Sequence, residues 1–257
     1  MGRATPTPGM KVAGGGGAAT TPSPERAQRV TVRWLPATLP MSAGGEYGES
    51  ALPLATLASE NQRVGGYRAG LPLLVYFYSA RNDEKLLEYE GRVFYDERVG
   101  FSSRFFNCLR ISLDEIRDAG VRKSYGGEEP TLFVLDREGK QLKRLDGWRT
   151  ESVELFKGME LAFKETTGKA LAGLVEKEAR ILQNLDRIHW EVEDLKEAIK
   201  GTEEHLASHD CDRGRRELAE NQADMAKLEA EKAKVLDEEA KLLEPVSPKA
   251  PEAPKGL

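Results

Sequence analysis

"LPLLVYFYSARNDEK", residues 71–85, contains the strongest β-strand pattern in the chain. Apolar and aromatic residues run up to Tyr78, and polar and charged residues follow at once. A strand that is apolar along its whole length is typical of the centre of a sheet with both faces covered. The stretch therefore predicts a central strand that leads into the N-terminus of a helix, where many α/β proteins place their chemistry.

Further strand and helix patterns lie on both sides of this stretch. Before it, "RVTVRW" (29–34) alternates as a strand does, and residues 54–63 have a helical pattern. After it we expect, in order, a helix at 83–100, a strand at 105–113, a short helix at 114–120, a β-hairpin at 130–148 and an amphipathic helix at 150–165 with Thr150 as its N-cap. The order β-α-β-α-β-β-α predicts an α/β domain at residues 29–167.

Three short stretches, together with this order, resemble the thioredoxin-like fold. "LLVYFYSA" (73–80) is similar to the strand that enters a thioredoxin active site. "EEPTLFVLDREGK" (128–140) is similar to the family's cis-proline with the strand and turn that follow, and "DGWRTESVELF" (146–156) to its glycine and final helix. The resemblance covers less than half of the chain. It implies a three-layer α/β/α domain and a cis peptide bond before Pro130.

The redox motif that the resemblance implies is missing. The two positions of its Cys-x-x-Cys pair hold Asn82 and Lys85. Dithiol exchange needs one thiolate to attack and a second thiol to resolve the mixed disulfide, and neither side chain contains sulfur. We therefore expect a domain that is not an enzyme, whose surface around Arg81, Asn82, Glu129 and Pro130 holds an extended peptide without doing chemistry.

The chain has two cysteines, Cys108 and Cys211, which make no disulfide framework and favour a reducing cytosol. Cys108 falls inside "FFNCLRISL" (105–113), so we expect it to be a small buried core residue. The alternative is a redox site that uses this thiol, as in a single-cysteine oxidoreductase or peroxidase. That alternative requires an exposed thiol with a lowered pKa.

A heptad pattern dominates residues 168–244. Its seam positions follow one another at spacings of three and four: Leu171, Leu174, Glu178, Ile181, Leu185, Ile188, Val192, Leu195, Ile199, Thr202 and Leu206. A weaker set follows: Leu218, Asn221, Met225, Leu228, Lys232, Val235, Glu239 and Leu242. The pattern predicts a coiled coil, with Glu178 and Thr202 as weak points of the seam. A turn near 208–214 favours an antiparallel hairpin. The alternative is a parallel coiled coil with a hinge, in which two copies of the chain form a homodimer.

The turn contains the one metal-like cluster that the sequence offers. His205 and His209 share a helical face, and Cys211 or Asp212 would complete a zinc site. Polar residues are expected in an exposed turn in any case. We therefore predict no bound metal and no cofactor, with these residues as weak candidates.

Composition and charge restrict the function further. The net charge of −5 gives no support to nucleic-acid binding, and no apolar stretch is long enough to span a membrane. Residues 1–28 and 245–257 are rich in Gly, Ala and Pro and are predicted to be disordered tails. The second tail has prolines at a spacing of three, which suits either a docking peptide or a stiff solvated segment.

Together these patterns predict a cytoplasmic, non-catalytic thioredoxin-like protein that binds other proteins. An adaptor, an assembly factor or a chaperone-like scaffold would bind its partners through the coiled coil and through the edge of the domain beside Pro130. The alternatives are a thiol-dependent redox enzyme that uses Cys108 and a structural spacer without a specific ligand.

Overall fold

A computed structural model describes residues 22–37, 54–63, 65–116, 119–127 and 129–244. The helices are α1 Pro24–Val30, α2 Leu54–Asn61, α3 Asp83–Phe94, α4 Glu97–Ser103, α5 Ala119–Ser124, α6 Ser152–Thr167, α7 Leu171–Ser208 and α8 Asp212–Leu242. The strands are β1 Leu35–Pro36, β2 Leu73–Tyr78, β3 Asn107–Ser112, β4 Thr131–Leu135 and β5 Gln141–Asp146. Of the predicted tails, residues 1–21 and 245–257 lie outside the described residues.

The strands form one mixed sheet in the order β1-β3-β2-β4-β5. β2 pairs in parallel with β3 and antiparallel with β4, so that Val75 lies between Leu109 and Phe133. Every residue of β2 except Tyr78 is buried. The prediction of a central, doubly covered strand is therefore confirmed, as are the mixed α/β class and the β4–β5 hairpin.

Helices cover both faces of the sheet. Because successive side chains of a strand point to opposite faces, Leu74 and Tyr76 of β2 belong to one apolar cluster, while Leu73, Val75 and Phe77 belong to another. The first cluster includes α3, α4, α6 and the beginning of α7. The second is closed by α2 and by the turn that follows α5.

The predictions for the N-terminal segment were wrong. Residues 24–28, predicted as tail, and the start of "RVTVRW" form α1, and only Leu35–Pro36 joins the sheet, beside β3. The Ser23 side chain caps α1 by accepting a hydrogen bond from Arg26 N, and the Ser23 N–H donates to Asp186 of α7 at 2.9 Å. Contacts with distant parts of the chain thus decide the structure of this segment, which its own alternation does not reveal.

Three boundaries also differ from the predictions. The helix expected at 83–100 breaks before Asp96, whose side chain accepts from Arg98 N and so starts α4 as a separate helix. The short helix expected at 114–120 is instead a single helical turn at Leu113–Glu115, and α5 begins only at Ala119. Thr150 does not cap α6, because its hydroxyl donates to the Gly147 carbonyl instead.

The expected cis bond before Pro130 is also wrong, because the peptide bond between Glu129 and Pro130 is trans. The chain reverses before the proline, at Gly126 and Gly127, which have φ of 114° and 70°. A Cβ on Gly126 would lie 2.1 Å from the hydroxyl oxygen of Thr131, so that only glycine fits. Two left-handed glycines therefore turn the chain into β4 without a cis bond.

α7 and α8 are two long antiparallel helices that are joined at residues 209–211. Arg187 forms an ion pair with Glu231, and Leu206 lies over Gly214 beside the turn. Every predicted seam position in both helices is buried or half-buried. At the base, residues such as Ile188 belong to the same apolar cluster as the sheet, so the hairpin and the α/β part share one core.

Candidate functional site

The carboxyl ends of β2 and β3 form a crevice. These strands are parallel neighbours, but the connection after β2 runs to the face with α3, whereas the connection after β3 runs to the opposite face. A crevice forms where neighbouring parallel strands send their connections to opposite faces, and ligands of open α/β sheets bind there. Asp114 braces the two strand ends, since the Ser79 hydroxyl and the Ala80 N–H each donate to its carboxylate at 2.9 Å.

The crevice is a cavity of about 170 Å³. The described residues that line it are Ser79, Arg81, Asp114, Ala119, Arg122, Lys123 and Gly127. Of the residues predicted from the sequence, Arg81 lies in this lining. Asn82 ends the short helical turn Ala80–Asn82 that leads into α3. An exposed Glu129 and a buried Pro130 precede β4, whose first residue pairs with β2.

The sequence interpretation missed the basic pair Arg122 and Lys123. They belong to α5, and the fold brings them to the crevice beside Arg81. The signal was available as two adjacent cations shortly after a predicted strand. It was passed over because the helix in this region was placed too early in the chain.

Cys108 lies in the interior of the sheet, on β3. Its side chain is 1% exposed, and its thiol lies 3.7 Å from the Ser103 carbonyl oxygen. Burial raises the pKa of Cys108 to about 12, and the nearby Arg68 offsets this only in part. The thiol is therefore held in its protonated, weakly nucleophilic form.

The weak zinc candidates do not assemble. His205 and His209 stack with ring centroids 5.8 Å apart, and the Cys211 sulfur accepts a hydrogen bond from Gly214 N at the start of α8. Within the part of the chain that the structure describes, no three His, Cys, Asp or Glu side chains are grouped as metal ligands would be. These polar residues instead form the turn and its helix cap.

An ionic cluster, here called the arginine junction, joins the hairpin to the α/β part. It consists of Arg29, Arg104, Glu178 and Glu239. One nitrogen of the Arg104 guanidinium lies 2.5 Å from Glu178 and 2.6 Å from Glu239, and Arg29 also binds Glu239. Both carboxylates are almost fully buried. Two polar positions of the predicted seam, Glu178 in α7 and Glu239 in α8, are therefore positions at which the hairpin binds the rest of the chain.

The two carboxyl groups of the arginine junction titrate differently. Burial and the neighbouring Glu239 raise the pKa of Glu178, against the effect of Arg104. Burial alone would also raise the pKa of Glu239, but hydrogen bonds from Arg104 and Arg29 lower it below its ordinary value. Two carboxyls that share one guanidinium resist becoming charged together.

A second ionic contact fixes α1 between α4 and α7. The Arg26 guanidinium binds Glu97 at 2.6 Å and Asp186 at 2.7 Å. Although burial would raise the pKa of Asp186, hydrogen bonds from Ser23 and Arg26 lower it. The base of the hairpin is thus held by charged contacts as well as by apolar packing.

The rest of the hairpin, here called the arm, extends beyond this base. It comprises residues 189–234, all of which the structure describes, and within them only Gly214 is buried. The seam residues of the arm are half-buried between the two helices, most other positions are exposed, and more than half of the exposed positions are charged. At about 1.5 Å per residue, the part of α7 in the arm is roughly 30 Å long.

No known protein family, curated protein or solved structure matches the chain. None of the described helices combines the length and the apolar composition needed to cross a lipid bilayer.

Proposed function

We propose that this is a cytoplasmic, non-catalytic protein with a thioredoxin-like domain, and that it binds other proteins through a coiled-coil arm. The observation that carries this proposal is the arm of residues 189–234, which extends from a base fixed by the arginine junction. A rigid base orients an exposed two-helix surface towards a partner, as an adaptor, assembly factor or chaperone-like scaffold requires.

The heptad spacing supports the coiled-coil part of the proposal. In the arm, the half-buried apolar positions of α7 are Val192, Leu195, Ile199 and Leu206, which follow the seam. A two-helix seam leaves these side chains partly open to solvent, so a further helix from a partner would bury additional apolar surface. A second copy of the chain is one such partner.

The strand ends support a role without redox chemistry. Asn82 and Lys85 stand at the positions of the two thiols that the resemblance to thioredoxins implies. The remaining thiol of this region, Cys108, is buried and has a raised pKa, which counts against the alternative of a thiol-dependent enzyme. The predicted peptide-binding surface around Arg81, Asn82 and Glu129, next to the buried Pro130, is proposed as a second contact region for an extended peptide.

Shortening the arm tests the proposal directly. Because Leu206 faces Gly214 and Arg187 faces Glu231, removing residues 200–220 and closing the gap with a short Gly-Ser loop keeps the helices in register. We expect affinity capture with the full chain to retrieve partner proteins that the shortened variant loses. The base is unchanged, so both proteins should have the same near-ultraviolet circular dichroism. Partners that bind equally well to both proteins would contradict a role for the arm.

A reductase assay tests the non-catalytic part separately. We expect no reduction of a disulfide substrate by the purified chain. Turnover that is lost in Cys108→Ser but kept in Cys211→Ser would instead establish the thiol-dependent enzyme. Cys211 is the matched control, because it is partly exposed and lies at the tip of the arm.

A further inference from the structure

We propose that the crevice at the ends of β2 and β3 binds a phosphate group, either as inorganic phosphate or as the end of a small phosphate monoester. The inference goes beyond the protein-binding role proposed above and does not depend on the arm. It rests on the position of the crevice and on the charges that line it.

The described lining of the crevice carries three cations, Arg81, Arg122 and Lys123, against the single carboxylate of Asp114. That carboxylate already accepts hydrogen bonds from Ser79 and Ala80, and its oxygen lies 3.6 Å from the Arg81 guanidinium. Asp114 therefore braces the strand ends and offsets one of the three positive charges. Within the described lining, positive side chains thus outnumber negative ones, which favours a phosphate group over a neutral ligand.

Arg122 and Lys123 are the two cations of the described lining that Asp114 does not contact in an ion pair. Neither side chain forms an ion pair with another described residue. Arg122 is half-buried and Lys123 is exposed. A guanidinium binds two phosphate oxygens at once and an ammonium group adds a point charge, a pairing that suits phosphate better than an apolar ligand.

The size of the crevice narrows the ligand class. Its volume of about 170 Å³ is well below the range of about 300–1,000 Å³ that is typical of sites for cofactors and drug-sized molecules. Gly127, which has φ of 70°, borders the crevice without a side chain that would fill it. The space therefore accommodates a compact anion, and any larger group attached to it would extend into solvent.

Titration calorimetry on the full chain tests this inference, with inorganic phosphate and a simple alkyl phosphate monoester as the ligands. Acetate at the same ionic strength controls for general anion binding. We expect saturable binding of at least one phosphate ligand, weakened about tenfold or more in Arg122→Gln and in Lys123→Gln. Arg137→Gln, a change at a surface arginine beside Glu138 of the β4–β5 turn, is the matched charge control and should bind as the native chain does.

The relative affinities assign the source of the phosphate. Tighter binding of the monoester indicates that the crevice recognises the end of a larger molecule, whereas equal or weaker binding indicates free phosphate. The inference is overturned if neither phosphate ligand binds, if acetate binds equally well, or if both crevice variants retain the native affinity. Thermal melting in the absence of ligand checks that these variants are folded.

Discussion

The base and the arm of the hairpin consist of the same two helices with the same heptad spacing, yet their surroundings differ. At the base, Ile188 is fully buried in the core that the hairpin shares with the sheet, and Arg104 binds a buried carboxylate of each helix. In the arm, Leu195 and Ile199 are covered only in part. The comparison teaches that seam spacing identifies which face of a helix turns inward, whereas burial depends on how many other elements cover that face.

The largest expected difference between the two regions comes from a charge placed in the seam. Leu185→Asp at the base should lower the free energy of unfolding by about 4 kcal/mol or more, because an aspartate would replace a side chain that is 4% exposed. Leu195→Asp in the arm should cost about 1 kcal/mol, since its side chain can reach solvent. Urea unfolding of the full chain, followed by far-ultraviolet circular dichroism, measures both. Equal losses would show that a charge at position 195 is no closer to solvent than one at position 185, which contradicts the comparison.

The arginine junction gives the next largest effect. Arg104→Met at about pH 8 should cost about 3 kcal/mol, because it removes a cation from two buried carboxyl groups. The matched change in the arm is Arg215→Met, which breaks exposed pairs with Asp210 and Asp212 and should cost less than about 0.5 kcal/mol. Chemical denaturation of both variants tests the difference. A small cost for Arg104→Met would mean that the junction adds little to stability.

Two glycine substitutions should change stability in opposite directions. A Cβ on Gly100 of α4 would lie 1.7 Å from the Val30 carbonyl oxygen, so Gly100→Ala must displace α1 and should cost about 2 kcal/mol. Gly201 in the arm is helical and has no atom within 4 Å of an added Cβ. Gly201→Ala should therefore stabilise its helix by about 0.5–1 kcal/mol. Thermal melting distinguishes the two directions, and a harmless Gly100→Ala would contradict the close docking of α1.

The sequence predicted those features that depend on local pattern. The apolar run of 71–79 predicted the central strand, and the heptads predicted which residues of α7 and α8 face each other. The first residues of α1 and α4 were not predicted from the sequence. Both starts have recognisable signals, namely Ser23 followed by Pro24 and Asp96 followed by Glu97. The alternation of "RVTVRW" outweighed the first signal because the contacts that favour a helix there come from distant residues.

The candidate site was predicted only in part, for a similar reason. Arg81 lies directly after the central strand, so its place at the strand ends follows from the sequence. Arg122 and Lys123 belong to an element whose start was misplaced, and Asp114, which was assigned to an α-helix at 114–120, lies in the short helical turn Leu113–Glu115 instead. The resemblance to thioredoxins also led to a cis bond before Pro130, whereas Gly126 and Gly127 turn the chain with a trans bond.

The smallest expected effect concerns pH, and it separates the buried carboxyl of the base from an exposed one in the arm. The pKa of Glu178 in the folded chain is raised from its ordinary value of 4.5 to about 7, chiefly by burial. As the pH rises from about 5 to about 8, the unfolded chain releases this proton before the folded chain does, so the contribution of Glu178 to stability falls. In Glu178→Gln that loss is absent, so the stability of the variant relative to the native chain should rise over this range. Glu193→Gln in the arm is the control. Lys196 lowers the pKa of Glu193, so this residue completes its titration at lower pH and the control should follow the native curve.

Urea unfolding at intervals across the pH range measures the stability of all three proteins. Parallel curves for Glu178→Gln and the native chain would show that Glu178 is already ionised in the folded state at about pH 5.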